Sequence, residues 1–314
     1  MIKQRKNMTA TVIIGFDKGA GKFKCSINGQ RFTTTKQNYI EYMFKQITGE
    51  KKSFKDIEAM QKPAVSEKFC INQRFGFVEK IVGMVATGVQ PSTIITGQGG
   101  LGKTYTVMKT LQANGLQDFN EVIQKLPVGA TIPMKTVYVT IKGYSTPKGL
   151  YRTLFENQNA TIVFDDCDSI LKDPVALNLL KGALDSYGKR IISWNAESFG
   201  KDDDLPRSFE FKGRVIFISN MDQDKIDQAI RSRSMMIDLS MTDDQKIDRM
   251  AHIAESEEFL PEYTTEIKAD ALALIREVKD QAKEISLRTL ISVAKIRAAN
   301  PSDYKDLATY VLTN

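Results

Sequence analysis

The chain has 314 residues, 42% of them hydrophobic and 26% charged, which is room for about two domains with separate cores and far from the composition of a disordered segment. Cys25, Cys70 and Cys167 are widely spaced and His252 is the single histidine, so a zinc site and a histidine-based catalytic triad are excluded, and each cysteine reads as a small buried hydrophobe. Net charge is +6, but residues 1–68 carry 14 Lys/Arg against 6 Asp/Glu and the remainder 30 against 32, so the basicity belongs to the amino-terminal region.

Lys3, Arg5 and Lys6 precede the apolar stretch 11–16, which is too short for a signal peptide and runs directly into Asp17-Lys18. No other segment approaches the roughly 18–20 apolar residues of a membrane span, so the expectation is a cytoplasmic protein with no membrane partner. Residues 1–68 read as a small α+β module. Gly19-Ala20-Gly21-Lys22 is half a phosphate loop with its first glycine misplaced, and is set aside as a decoy. Lys22–Ile27 and Gln30–Thr35 flank Asn28-Gly29, a strong hairpin signal. Thr35 is placed to cap a helix through Gln46, with Tyr39, Ile40, Met43, Phe44 and Ile47 on one face. A second short helical pattern follows Glu50-Lys51-Lys52-Ser53, and Pro63 marks a linker. A local positive field of this kind suits a polyanion or an acidic partner, or else is a solvated surface.

From residue 69 helices alternate with short β-branched runs: Thr93–Thr96, Val137–Ile141, Thr161–Phe164, Arg190–Trp194, Phe209–Phe211, Val215–Ser219 and Met235–Leu239. That alternation predicts a parallel sheet covered on both faces. After Met241 the strands stop, and 243–256, 266–282, 285–298 and 302–312 read as four helices.

Gly97-Gln98-Gly99-Gly100-Leu101-Gly102-Lys103-Thr104 matches G-x-x-x-x-G-K-[S/T] between a strand and a helix opened by Thr104 and Tyr105. The glycines let backbone N–H groups curl around a polyphosphate, Lys103 reaches the β- and γ-phosphates, and Thr104 offers a hydroxyl to Mg²⁺. Ile162-Val163-Phe164-Asp165-Asp166 is an apolar strand ending in two carboxylates, 61 positions after Thr104. Asp165 suits the magnesium shell and Asp166 the polarisation of water.

With these two motifs the chain resembles the AAA+ ATPases, and further motifs follow in the family order. Arg214–Asn220 looks like the sensor 1 strand, with Asn220 at its end to bond water and γ-phosphate. Ile226–Arg233 looks like the segment carrying the arginine finger, Arg233 first and Arg231 in reserve. Ser286–Leu290 resembles sensor 2, with Arg288 reaching the γ-phosphate, and Arg74–Val78 sits where part of the adenine pocket is expected, giving Phe75. The likeness spans about three-quarters of the chain and leaves residues 1–68 unexplained. It implies an α/β AAA+ core over 69–240 whose parallel sheet lies between helices, a helical lid over 241–314, ATP and Mg²⁺ as ligands, and a homo-oligomeric ring, most simply a hexamer, in which the finger acts in trans.

Two features depart from the usual pattern. Asp166 stands where the family has glutamate, which implies slower hydrolysis or a shifted geometry. Arg190–Trp194 and Ser208–Phe211 are expected to pair as a hairpin with a polar tip at 200–204, resembling the pre-sensor 1 insertion of one large AAA+ branch; Trp194 is read as a core anchor ahead of a substrate contact. The loop after Val137–Ile141 faces the pore in hexameric relatives, which makes Lys142 and Tyr144 candidates for gripping substrate. The substrate is left between nucleic acid, favoured by the basic module and by a general likeness to the ATPases of phage replication systems, and a protein client. A third reading is a nucleotide switch that assembles on ATP and hydrolyses it poorly.

Overall fold

Each central strand of the larger sheet alternates its side chains between two apolar clusters, which is how one sheet comes to be buried on both faces. The computed structural model describes residues 12–17, 19–59, 68–127, 130–185, 188–195 and 204–314. The chain divides into two compact units, Met1–Phe69 and Cys70–Asn314. The expected linker at Pro63, the basic residues ahead of position 12 and the hairpin tip at 200–203 lie outside the described residues.

In the first unit β1 (Val12–Asp17), β2 (Lys22–Ile27) and β3 (Gln30–Thr34) form an antiparallel sheet in that order. Asn28 and Gly29 take left-handed backbone (φ 50° and 85°), as a two-residue hairpin turn requires. The stretch read only as too short for a signal peptide is thus an edge strand, paired from Val12 opposite Ile27 to Asp17 opposite Lys22. The decoy glycines form the turn between β1 and β2, where the Asp17 carboxylate accepts the Ala20 N–H at 3.1 Å. Helix α1 (Gln37–Thr48) starts later than expected: its N-cap is Lys36, and the Thr34 hydroxyl rather than Thr35 takes the Lys36 N–H. With α2 (Phe54–Ala59) it closes a small core of Val12, Cys25, Ile27, Ile40, Phe44 and Ile57.

The second unit begins with α3 (Ile71–Thr87) and β4 (Ser92–Thr96), followed by α4 (Lys103–Ala113), β5 (Gln117–Asp118), α5 (Phe119–Lys125), β6 (Val137–Lys142), α6 (Pro147–Glu156), β7 (Thr161–Asp165) and α7 (Pro174–Ala183). The hairpin β8 (Ile191–Ser193) and β9 (Ser208–Glu210) comes next, then β10 (Arg214–Ser219), α8 (Gln228–Arg231) and β11 (Met235–Asp238). Six parallel strands lie in the order β11-β4-β10-β7-β6-β5. Ile94, Ile162, Phe164, Val215 and Phe217 point to one face, where α6 and α7 supply Leu150, Tyr151, Leu154, Leu179 and Leu180. Ile95, Val163, Ile216 and Ile218 point to the other, against Phe75, Val78 and Val82 of α3 and Val107 and Leu111 of α4. Burying two faces demands nearly continuous apolar strands, as Ile162-Val163-Phe164 and Val215-Ile216-Phe217-Ile218 are.

The hairpin pairs as expected, with Ile192 opposite Phe209. Trp194 packs against the core, 5.8 Å from the Tyr151 ring, in keeping with a core anchor. Four helices close the chain: α9 (Asp243–Ala254), α10 (Thr265–Glu277), α11 (Leu287–Ala299) and α12 (Tyr304–Thr313). They bury a core of their own around Met250, Ile275, Leu290, Val293 and Leu312. The fold is therefore α/β, a parallel sheet between helices with a carboxy-terminal helical region. No helix among the described residues is long and apolar enough to cross a membrane.

Candidate active site

In a parallel sheet the carboxyl ends of the strands share one edge, and a crevice there collects loops that are remote in sequence. β4, β10 and β7 are neighbours whose register sets Ser219 opposite Thr96 and Ile218 opposite Asp165. Gly97, Asn220 and Asp165 therefore leave the sheet side by side. A cleft of about 370 Å³ there is lined by Gly99, Gly100, Gly102, Lys103, Thr104, Tyr105, Asp165, Asp166, Asn220 and, from α11, Leu287, Arg288 and Ile291.

The loop needs its glycines. Gly97 has φ 137°, and a Cβ there would lie 2.8 Å from the Leu239 carbonyl carbon. Gly100 has φ 73°, and its Cβ would meet that of Ser286 at 3.0 Å. The Leu287 N–H donates to the Gly100 carbonyl at 2.8 Å, so the start of α11 is tied directly to the loop. Gly102, at φ 90°, opens α4 and turns its amino-terminal N–H groups to the cleft.

Lys103 is 5% exposed. Its Nζ donates to the carbonyls of Gly97 (2.6 Å) and Gln98 (2.7 Å) and to Asn220 Oδ1 (2.9 Å). Burial lowers its pKa to about 8, and the charges of Asp166, Asp165 and Asp168 hold it from falling further. The ammonium still carries its proton at neutral pH. Asn220 also donates through Nδ2 to Asp166 Oδ1 at 2.7 Å, so a single amide links the loop lysine to the second carboxylate. Asp166 has φ 55°, unusual for a residue with a side chain, and its N–H donates to the Ile218 carbonyl at 3.1 Å.

The Thr104 hydroxyl donates to Asp165 Oδ1 at 2.9 Å, and Lys142 Nζ lies 3.1 Å from Asp165 Oδ2. Two hard oxygen donors thus meet at a point where the fold already puts a positive charge, which fits a divalent cation held by Thr104 and Asp165. Lys142, at the end of β6, is opposite Asp165 in the sheet register and pairs with it while its side chain stays exposed. Tyr144, two residues on, is 81% exposed.

Other candidates are placed elsewhere. Phe75 is 1% exposed in the core, with the Arg249 guanidinium 3.8 Å above its ring, and does not line the cleft. Tyr105 does line the cleft, while its hydroxyl donates to Glu258 at 2.8 Å, beyond α9. Arg231 and Arg233 lie outside the cleft; the Arg233 carbonyl accepts the Ser92 hydroxyl at the start of β4. Five strand residues, about 16 Å, separate Ser92 from Gly97. Arg233 Nη1 donates to the Ala229 carbonyl at 3.0 Å, and the Nε of each arginine is buried without a partner.

Asp168 was missed in the sequence reading. It accepts the Ser219 hydroxyl at 2.6 Å, and Ser219 in turn takes the Met221 N–H at 3.0 Å, fixing the turn that presents Asn220. The signal was the third carboxylate in Asp165-Asp166-Cys167-Asp168. Between them, burial raises the Cys167 thiol to about 11, which keeps it neutral.

No protein-family model matches the chain. It is similar to an uncharacterized 36.7 kDa protein from the nrdC-mobD intergenic region of Enterobacteria phage T4, 28% identical over 309 residues, covering 93% of this chain and 87% of the relative. A solved structure concerned with katanin self-assembly aligns over 71% of this chain and 67% of its own, with a TM-score of 0.38 and 13% identity.

Proposed function

We propose that the chain is an ATP hydrolase of the AAA+ type, acting as a homo-oligomer in which each site is completed by an arginine of the neighbouring subunit. The observation that carries this is convergence: Lys103, Thr104, Asp165, Asp166, Asn220 and Arg288, drawn from four segments, border one cleft. In this reading the loop N–H groups and Lys103 hold the triphosphate. Mg²⁺ held by Thr104 and Asp165 supplies charge neutralisation on the phosphate oxygens. Asp166 orients a water in line with the γ-phosphorus and takes its proton as the bond to the β-phosphate oxygen breaks, releasing ADP and phosphate. Asn220 keeps Asp166 and Lys103 in register through its two hydrogen bonds. Arg288 adds positive charge from the helical region, so closure over the γ-phosphate completes the site.

The chain's own Arg233 starts from the opposite edge of the sheet, which supports action in trans. Arg233 is the first choice and Arg231 the second, and a hexamer is the simplest closed assembly. The division into a basic module over 1–68, a core over 69–240 and a lid over 241–314 belongs to this proposal.

For the work done with ATP, the +8 balance of residues 1–68 favours nucleic acid. The exposure of Tyr144 equally suits a grip on a protein client. The test is ATP turnover with and without single-stranded and duplex DNA, with Lys103→Ala as the blank. Turnover stimulated by DNA and weakened by salt supports a DNA-handling motor. Turnover indifferent to DNA moves the reading to a protein client. Turnover no higher than the blank refutes the hydrolase and leaves a nucleotide switch.

A further inference from the structure

Helix α1 of the amino-terminal unit buries Ile40 and Phe44 and turns a different set of residues to solvent. Lys36, Tyr39, Tyr42 and Lys45 recur every three positions, at the N-cap and then along one side of the helix, and all four are exposed. Tyr39 is 43% and Tyr42 55% exposed; Phe16, the other exposed aromatic described in this unit, lies on β1. Their rings are tilted 30° to one another with centroids at 6.1 Å, and Tyr39 meets Phe32 edge-on at 6.0 Å. A lone exposed aromatic on a soluble domain needs no explanation. Two adjacent tyrosines, braced and flanked by lysines, form an array of π-faces next to positive charge.

The acidic residues nearby do not neutralise this face. The Glu41 carboxylate accepts the Phe54 N–H at 2.6 Å, Asp17 pairs with Lys24 at 2.8 Å, Glu50 lies 3.6 Å from Lys52, and Asp56 takes the Ser53 hydroxyl at 2.6 Å. No carboxylate among the described residues pairs with Lys36 or Lys45. We infer that the Lys36–Tyr39–Tyr42–Lys45 face binds single-stranded nucleic acid, the tyrosines stacking on successive bases and the lysines meeting the phosphates. Stacking asks only for a π-face, so the contact is tolerant of sequence, while charge keeps the strand on the helix. A duplex hides its base faces and engages only the lysines. The inference deepens the nucleic-acid reading above and rests on it, but not on hydrolysis.

The test uses the full chain and a fluorescein-labelled dT20 oligonucleotide, read by anisotropy across a salt series. Tyr39→Ala and Tyr42→Ala are each expected to weaken binding about five- to hundred-fold. Lys36→Gln and Lys45→Gln are each expected to reduce the slope of log affinity against log salt by about 0.7. Tyr39→Phe with Tyr42→Phe keeps the π-faces and is expected to bind as the parent does, which separates lost stacking from lost folding. A parent chain that binds dT20 but turns over no ATP refutes the hydrolase and leaves this face standing. Absence of dT20 binding at low salt, unchanged binding in the double alanine variant, equal loss in the phenylalanine pair, or a 20-bp duplex bound as tightly would each overturn the inference.

Discussion

Replacing Lys103 with methionine keeps the length of the side chain and removes a buried ammonium. Burial takes the lysine from its ordinary pKa of 10.5 to about 8, against the pull of Asp166, Asp165 and Asp168. That fall corresponds to about 3 kcal/mol by which the folded state disfavours the charged form. The variant also leaves the carbonyls of Gly97 and Gln98 and the Asn220 oxygen without Nζ. The Gln98 and Asn220 contacts are only part-buried, so water replaces most of what is lost there, and with the buried Gly97 carbonyl the cost is about 1 kcal/mol. Lys103→Met should therefore stabilise the nucleotide-free protein at pH 7 by about 2 kcal/mol, or about 4–8 °C in the melting of a unit of this size. The sign with pH follows from the lowered value. The unfolded chain binds the proton more tightly, so the penalty is complete below about pH 8 and is relieved between 8 and 10.5. The gap between variant and parent should close across that window. Urea unfolding followed by far-UV circular dichroism at pH 7 and pH 9.5, without nucleotide, measures both effects. A methionine variant less stable than the parent at pH 7, or a gap that ignores pH, would refute the reasoning.

Gly97→Ala places a Cβ 2.8 Å from a backbone carbon at a φ of 137°, where only main-chain movement gives relief; a loss of about 3 kcal/mol in urea unfolding is expected, and a change below 1 would show that the loop relaxes freely. Lys142→Ala removes the cation beside Asp165, so turnover should reach half-saturation at a few-fold lower Mg²⁺ concentration; an unchanged or higher requirement would mean that Lys142 does not compete for the carboxylate. Arg233→Ala should cut turnover by about 10³ with nucleotide binding intact, and mixing it with Lys103→Ala chains should restore activity by joining an intact site to an intact finger. Failure of the mixture would exclude action in trans, and a larger loss in Arg231→Ala would move the finger to that residue.

Much of this was legible in the sequence because the signals were short-range. Strand, glycine loop and helix lie within residues 92–113, the strand and its two carboxylates within 161–166, and the carboxy-terminal helices follow from local periodicity and caps such as Thr242 and Ser286. Asn28-Gly29 specified a hairpin because two left-handed residues turn the chain back upon itself. Tertiary structure decided which of these segments meet. The partners of Asn220 are 117 and 54 residues away, brought together only because β10 lies between β4 and β7. Lys142 faces Asp165 through the register of β6 on β7, which local sequence does not encode. Phe75 shares a helix with the buried Val78 and Val82, and packing under Arg249 took it into the core where the order of motifs had suggested a nucleotide contact. Backbone preferences and periodicity act over a few residues and so can be read along the chain, whereas strand order and register are settled by which apolar faces the whole sheet can bury together.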